Sequence, residues 1–324
     1  MSSLTGGPVP RTGTQFAISA GDYQATVTEL GAGLRQLSYR GQPAISGYEP
    51  DMLPPGAAGQ LLCPWPNRVD GGRYTIDGQA YQLDLSEPAN QNAIHGLTRW
   101  SRWPATAHTA DSVSLQLVLL GHQGYPFCLE LDASYQVDAA RGLRVSVSAR
   151  NVGTAAAPYG TGSHPYLTTG AAAVDECQLL LPAGLWQPSG DRGIPAGQPQ
   201  DVAGTEFDFR AARLVGTTRL DHALSGLARD GSGLAWARLS SPGRQVAMWA
   251  GPGYEWLQVF TGDTLEPARQ RRALAIEPMT CPANAFASGV GLLMLEPGDS
   301  VTHIWGIEVS AGERPPSSGS AAAG

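Results

Sequence analysis

Apolar residues recur at every second position in one segment of this chain after another. In the stretch LRVSVSAR, Leu143, Val145, Val147 and Ala149 fall on one side, and Arg144, Ser146, Ser148 and Arg150 on the other. Successive side chains of an extended chain point to opposite faces, so this spacing predicts a strand buried on one face. The stretch SVSLQLVLL repeats the pattern with Val113, Leu115, Leu117 and Leu119. RYTIDGQAYQL reads as a hairpin, because Asp77-Gly78 accepts the positive φ angles of a two-residue type I′ turn. Tyr23 to Glu29, Leu34 to Tyr39, Leu257 to Thr261 and Val301 to Glu308 also read as strands. No segment sustains a 3.6-residue period, and stretches such as 211–216 hold a turn of helix at most.

Such strands need many turns, and the composition supplies them. The 41 glycines and 25 prolines make up about a fifth of the 324 residues and are scattered between apolar runs. The expected fold is therefore all-β, a large antiparallel sandwich of sheets packed face to face. No linker interrupts residues 15–310, which are expected to form one domain. Residues 1–14 are expected to be flexible. Residues 311–324, small, polar and proline-containing, are expected to be disordered.

The formal charge is −7 and no basic cluster is interleaved with aromatics, which argues against a nucleic-acid partner. No apolar run approaches the ~20 residues of a membrane span, and the first residues lack the apolar core of a secretory signal. Cys63, Cys128, Cys177 and Cys281 are far apart and form no CxxC pair, so zinc has no support. They read as reduced thiols of a cytoplasmic protein.

Four stretches stand apart from the strand pattern. In CPWPNRVDGGRY, prolines flank Trp65 and exclude a central strand, and Asn67 and Arg68 follow on a stiff loop. Arg68 either offers its fork of donors to a polar ligand or pairs with Asp70. In NAIHGLTRW, His95-Gly96 precedes Trp100 and Trp103, and an aromatic face beside polar donors suits a sugar ring. The alternative is a histidine capping a turn over core tryptophans. In YGTGSHPYL, Gly160 and Gly162 would let the backbone turn tightly while Pro165 holds His164 extended. A histidine so confined serves either as a proton donor to one fixed atom or as a structural turn residue. In LAIEPMTCPANAF, Glu277 ends a buried apolar run. Loss of water would raise its pKa toward that of a general base, unless Arg271 or Arg272 pairs with it.

The order Asn-Arg, His-Gly, His-Pro-Tyr, Glu-Pro, with Asp221 of LDHAL between the last two, resembles that of the aldose 1-epimerases, the galactose mutarotases. The resemblance covers roughly residues 15–310 and implies a large β-sandwich acting on a monosaccharide without a cofactor or metal, as a monomer or homodimer. It implies that Glu277 is the general base on the anomeric hydroxyl and His164 the general acid on the ring oxygen. It implies that His95 hydrogen-bonds the ring region, and that Arg68, Asp221, Asn67 and Tyr166 hold the sugar.

LTRWSRW after His95-Gly96 departs from the galactose mutarotases, and PWPNRVDGGRY and EPMTCPANAF look more like a bacterial subgroup that includes sulfoquinovose mutarotases. Arg99 or Arg102 would then read an anionic substituent at C6, or else pack on a tryptophan. A mutarotase restricted to such sugars is one alternative to a general aldohexose mutarotase. A non-catalytic sugar-binding or sensor protein on the same fold is another, though it would not need both Glu277 and His164. A lyase or hydrolase on a related scaffold would usually carry a helical domain for which this chain has no room.

Overall fold

The structure is a computed structural model that describes residues 9–171 and 173–311. Much of what was expected of the two ends falls on residues 1–8 and 312–324, outside the described residues. Nearly all regular structure is antiparallel strand, and the described α-helix is the single turn Ala285–Ser288.

Three sheets carry the fold. A four-stranded sheet runs from Gln15–Ala20 through Tyr23–Thr28 and Leu34–Tyr39 to Gln42–Pro43. A nine-stranded sheet has Leu129–Asp138, Gly142–Asn151, Ser300–Ser310 and Arg244–Ala250 side by side at its centre. An eight-stranded sheet places Asp221–Leu227, Trp256–Phe260 and Leu274–Met279 next to one another. One apolar cluster joins Phe16 and Ile18 of the first sheet, Val145 and Val147 of the second, and Leu257 and Ile276 of the third.

The alternating segments fold as their spacing predicts. Along Gly142–Asn151, Leu143, Val145, Val147 and Ala149 are fully buried while Arg144 and Arg150 are exposed. Asp77 and Gly78 have φ of 49° and 78° and close the hairpin between Arg73–Ile76 and Gln79–Gln82. The stretch 211–216 differs from the expectation. It holds the short strand Arg213–Leu214, whose backbone pairs with Gln178–Leu180 at the edge of the nine-stranded sheet. Edge pairing, which local composition does not encode, overrides the helical option there. The four cysteines are free thiols. No helix among the described residues is long and apolar enough to cross a membrane.

His303 shows the cost of burying a titratable group in this core. It lies on Ser300–Ser310 with its ring against Tyr159 and Tyr254, at centroid distances of 6.3 and 5.4 Å. Neither ring nitrogen has a hydrogen-bond partner. Burial alone pushes the imidazole down to about 4 from 6.5. A depressed folded-state pKa stabilises the fold above the unfolded value, and that stability is lost as pH falls toward the folded value. The denaturation midpoint should therefore drop between pH 7 and pH 5. His303→Phe should remove about 1.4 kcal/mol per pH unit from that slope, at most. Equal slopes for the two proteins in urea melts would contradict this account of His303.

Candidate active site

The register of three adjacent strands builds the floor of a cavity. Gln258 is opposite Glu277, and Phe260 is opposite both Asp221 and Ala275. Because side chains alternate along a strand, Asp221, Gln258, Phe260 and Glu277 project from one face. Tyr166, registered against Ala275, joins them. The opposite face sends Leu224, Leu257, Val259, Leu274 and Ile276 into the core. Glu277 thus sits mid-strand in a segment buried on both faces.

Two loops bring in the remaining groups. The short strand Arg68–Asp70 pairs with Asn92–Ile94, so Asn67 and His95 meet at the open end. The Asn67 N–H donates to His95 Nδ1 at 3.2 Å, and the His95 N–H donates to the Asn67 carbonyl at 2.8 Å. Since Nδ1 accepts, the neutral imidazole carries its proton on Nε2. Beyond His95 the chain folds tightly over Cys63. At Gly96, φ is +69° and a Cβ would stand 1.9 Å from the Cys63 carbonyl oxygen. That oxygen accepts the Leu97 N–H at 2.7 Å.

His164 lies between the short strands Gly162–Ser163 and Tyr166–Leu167. Gly160 and Gly162 serve it differently from the expectation. Neither adopts a positive φ; they are small because the chain runs close to its neighbours. A Cβ at Gly160 would meet Cys281 Sγ at 2.5 Å, and one at Gly162 would meet Pro66 at 3.0 Å. Tyr166 stacks on the His164 ring at 4.9 Å and anchors its hydroxyl on the Gly56 carbonyl at 3.0 Å.

Eight of the residues singled out from the sequence, Asn67, Arg68, His95, Arg99, His164, Tyr166, Asp221 and Glu277, line one cavity of about 390 Å³. That is within the range of small-molecule sites. A larger groove of about 660 Å³ lies over the four-stranded sheet, but it contains none of these residues. Size therefore does not decide between them; the chemistry does.

At the cavity floor His164 Nε2 is 3.3 Å from Glu277 Oε1. His95 packs edge-on against His164 at 5.5 Å. The other carboxylate oxygen of Glu277 and Nδ1 of His164 have no partner. Burial raises Glu277 well above the usual carboxylate range; the Asp221 charge adds to this and the Arg68 charge opposes it. Burial likewise holds both His164 and His95 well below the usual imidazole range. A proton donor and a proton acceptor are thereby in contact in a poorly solvated place, the arrangement that general acid–base chemistry needs.

Several of the pairings that the sequence left open have definite partners. Arg68 pairs with Glu87 at 2.9 Å, whereas Asp70 pairs with Arg192 at 2.7 Å. Arg271 goes to Asp175 and Asp263, not to Glu277. Trp103 is a core residue, while Trp100 stands 53% exposed at the cavity. Arg102 pairs with Glu29 and is absent from the cavity lining, whereas Arg99 lines the cavity and also packs on a tryptophan, its guanidinium lying 5.5 Å from the Trp100 ring centroid. Glu87 and Gln258 were not legible as site residues. Gln258 donates to Asp221 Oδ1 at 2.7 Å, and only strand register reveals the pair. No metal-holding group of acidic, histidine or cysteine side chains occurs among the described residues.

A family model described as aldose 1-epimerase matches residues 14–308. The uncharacterized protein YihR of Escherichia coli K12 is 37% identical over 286 residues, 88% of this chain and 90% of its own length. The galactose mutarotase of Mus musculus is 24% identical over 262 residues, 73% of this chain and 74% of its own. Among solved structures, the aldose epimerase homologue from C. elegans shares the fold with a TM-score of 0.82 at 20% identity, over 92% of this chain and 99% of that one.

The close approach at Gly96 makes a sharp prediction. Gly96→Ala should destabilise the fold by more than ~3 kcal/mol in urea melts, because the added carbon meets backbone that cannot swing aside. A loss under ~1 kcal/mol, the range of an ordinary substitution, would show that the turn is not held as described.

Proposed function

The chain belongs to the aldose 1-epimerase family, an isomerase family acting on carbohydrates, and we propose that it interconverts the α and β anomers of an aldohexose with Glu277 and His164 as its proton-transfer pair. The observation that carries this reading is the 3.3 Å contact between those two side chains at the floor of the cavity.

The geometry fits the reaction. The anomeric hydroxyl and the ring oxygen are bonded to the same carbon, so the groups serving them must be neighbours. Glu277 takes the proton of the anomeric hydroxyl as His164 gives one to the ring oxygen. The O–H electron pair becomes the carbonyl bond, and the bond from C1 to the ring oxygen breaks. Rotation about C1–C2 followed by the reverse transfers closes the ring to the other anomer.

The proton count is conserved throughout. The pair starts as carboxylate and imidazolium and becomes carboxylic acid and neutral imidazole, with one proton in either form. Burial opposes the charged form of each partner, so the uncharged form, carboxylic acid and neutral imidazole, is the favoured one in the free protein. His95, neutral and with Nε2–H free of the protein, donates to the ring region. Arg68 and Asp221 hold hydroxyls, and Asn67 and Tyr166 frame them. Trp100 offers an aromatic face to the apolar side of the sugar.

Glu277→Gln keeps the shape and removes the acceptor, and it should cut the anomerisation rate at least ~100-fold with the fold intact. His164→Asn should likewise act chiefly on kcat. Polarimetry of freshly dissolved sugars checks both. A near-normal rate in folded Glu277→Gln would reject it as the base.

A second reading, restriction to sugars with an anionic C6 group, is favoured by Arg99. Its guanidinium lines the cavity, its Nε is buried without a partner, and no carboxylate among the described residues forms an ion pair with it. Burial pushes its pKa down, and the charge of Glu87 opposes that shift without reversing it. The test is kcat/KM for glucose, galactose, glucose 6-phosphate and sulfoquinovose. The anionic sugars should lead by about tenfold or more, and Arg99→Ala should abolish that lead. Equal turnover of neutral sugars, unchanged in the variant, would leave a general aldohexose mutarotase.

A further inference from the structure

Arg68 is held from two sides by residues that have no part in the proton transfer. Glu87 grips the guanidinium edge: Nε donates to Oε2 and Nη2 to Oε1, both at 2.9 Å. Asn92 Nδ2 steadies the same carboxylate from 3.1 Å. The second hold is the turn around Gly193. Arg192 fastens that turn to the neighbouring loop. Its Nε donates to the Asn90 carbonyl at 2.8 Å, and its Nη2 donates to Asn92 Oδ1 at 3.0 Å and pairs with Asp70 at 2.7 Å. Asn92 Nδ2 donates back to the Arg192 carbonyl at 2.9 Å. Gly193 is thereby pressed onto Arg68. Its φ is +69°, and a Cβ there would stand 2.6 Å from Nη1 and 2.9 Å from Cζ.

We propose that Glu87 and the Gly193 turn are positioning elements that orient the Arg68 guanidinium and cancel its charge, making Arg68 a hydrogen-bond donor to neutral sugar hydroxyls rather than an anion site. This rests on the mutarotase reading of the cavity. A guanidinium has five N–H donors in a rigid fork, and a two-point carboxylate contact fixes its plane while occupying only two of them. The remaining donors keep a set direction. The contact also separates the roles of the two cavity arginines, because Arg68 has a carboxylate partner and Arg99 has none among the described residues.

The charge has a second consequence. Arg68 and Asp221 act on Glu277 in opposite senses. Without the Glu87 carboxylate, the full Arg68 charge would stabilise the ionised form of Glu277, so the proton would leave the Glu277–His164 pair at lower pH.

The experiment compares Glu87→Gln, Glu87→Asp and Gly193→Ala with the wild type. It follows kcat and KM against pH with a sugar that the wild type turns over, and checks folding by circular dichroism. Glu87→Gln should raise KM about tenfold with a smaller change in kcat, and should shift the pH profile to lower pH. Glu87→Asp keeps the charge, so it should leave the profile in place and recover part of the KM. Gly193→Ala should raise KM with little movement of the profile, because it shifts the guanidinium but keeps its Glu87 counter-charge. An unshifted profile and a KM within twofold of wild type in Glu87→Gln would overturn the proposal, as would a Glu87→Asp variant no better than Glu87→Gln. Wild-type turnover judges the mutarotase reading by itself. Calorimetric binding of glucose and galactose to the same proteins reads the tenfold loss without turnover, so the two failures are distinguishable.

Discussion

A carboxylate and an imidazole in contact, both removed from water, set the terms for everything around them. Stranding one ionised group in such a place is costly, whereas a pair that shares one proton is tolerated whether that proton sits on oxygen or on nitrogen. Glu277 can occupy such a position because its strand is central in its sheet and covered on both faces. His164 can reach it because the chain on either side of the ring is pinned, by Pro165 and by the close packing of Gly160 and Gly162. Loosening either support would admit water and return both groups to their ordinary ionisation.

Around that pair the positive charges are arranged unequally. Arg68 and Arg99 both line the cavity, but one carries a two-point carboxylate partner and the other does not. A neutralised guanidinium is a directional donor, whereas an uncompensated one attracts charge. On the proposed reading, Arg68 would grip hydroxyls and Arg99 would read a charged substituent. The loops that hold these groups are joined by glycines that touch what they cover: Gly96 on the Cys63 backbone and Gly193 on the Arg68 guanidinium. Both need a positive φ and empty space where a side chain would be, so the site depends on backbone-to-neighbour contact as much as on its polar groups.

Legibility in the sequence followed burial. Where one face of a strand meets solvent, as in Gly142–Asn151, alternation announces the strand. Where both faces are covered, as in Leu274–Met279, alternation vanishes, and the segment could be read only as an apolar run holding a carboxylate. The residues of the four motifs were visible because histidine, arginine and glutamate stand out in loops and apolar runs. Glu87 and Gln258 were not, because their importance lies in partners 19 residues away in one case and 37 in the other. The same limit explains why Trp100 and Trp103 look alike in the sequence, and why the glycines before His164 suggest a turning role when their task is close packing.

The sequence by itself determined the kind of fold and the inventory of chemistry. Period-two patterning and scattered Gly and Pro permit little other than antiparallel sheets, and the four motifs name the candidate side chains for the proposed chemistry. Their meeting was decided only by tertiary structure. Asp221, Gln258 and Glu277 share a face because of the register between strands, and register is set by long-range pairing that no local window contains. The ionisation of Glu277 and His164, the choice of Glu87 rather than Asp70 for Arg68, and the diversion of Arg102 to Glu29 likewise arise from desolvation and proximity. Those are properties of the folded arrangement and not of the residues alone.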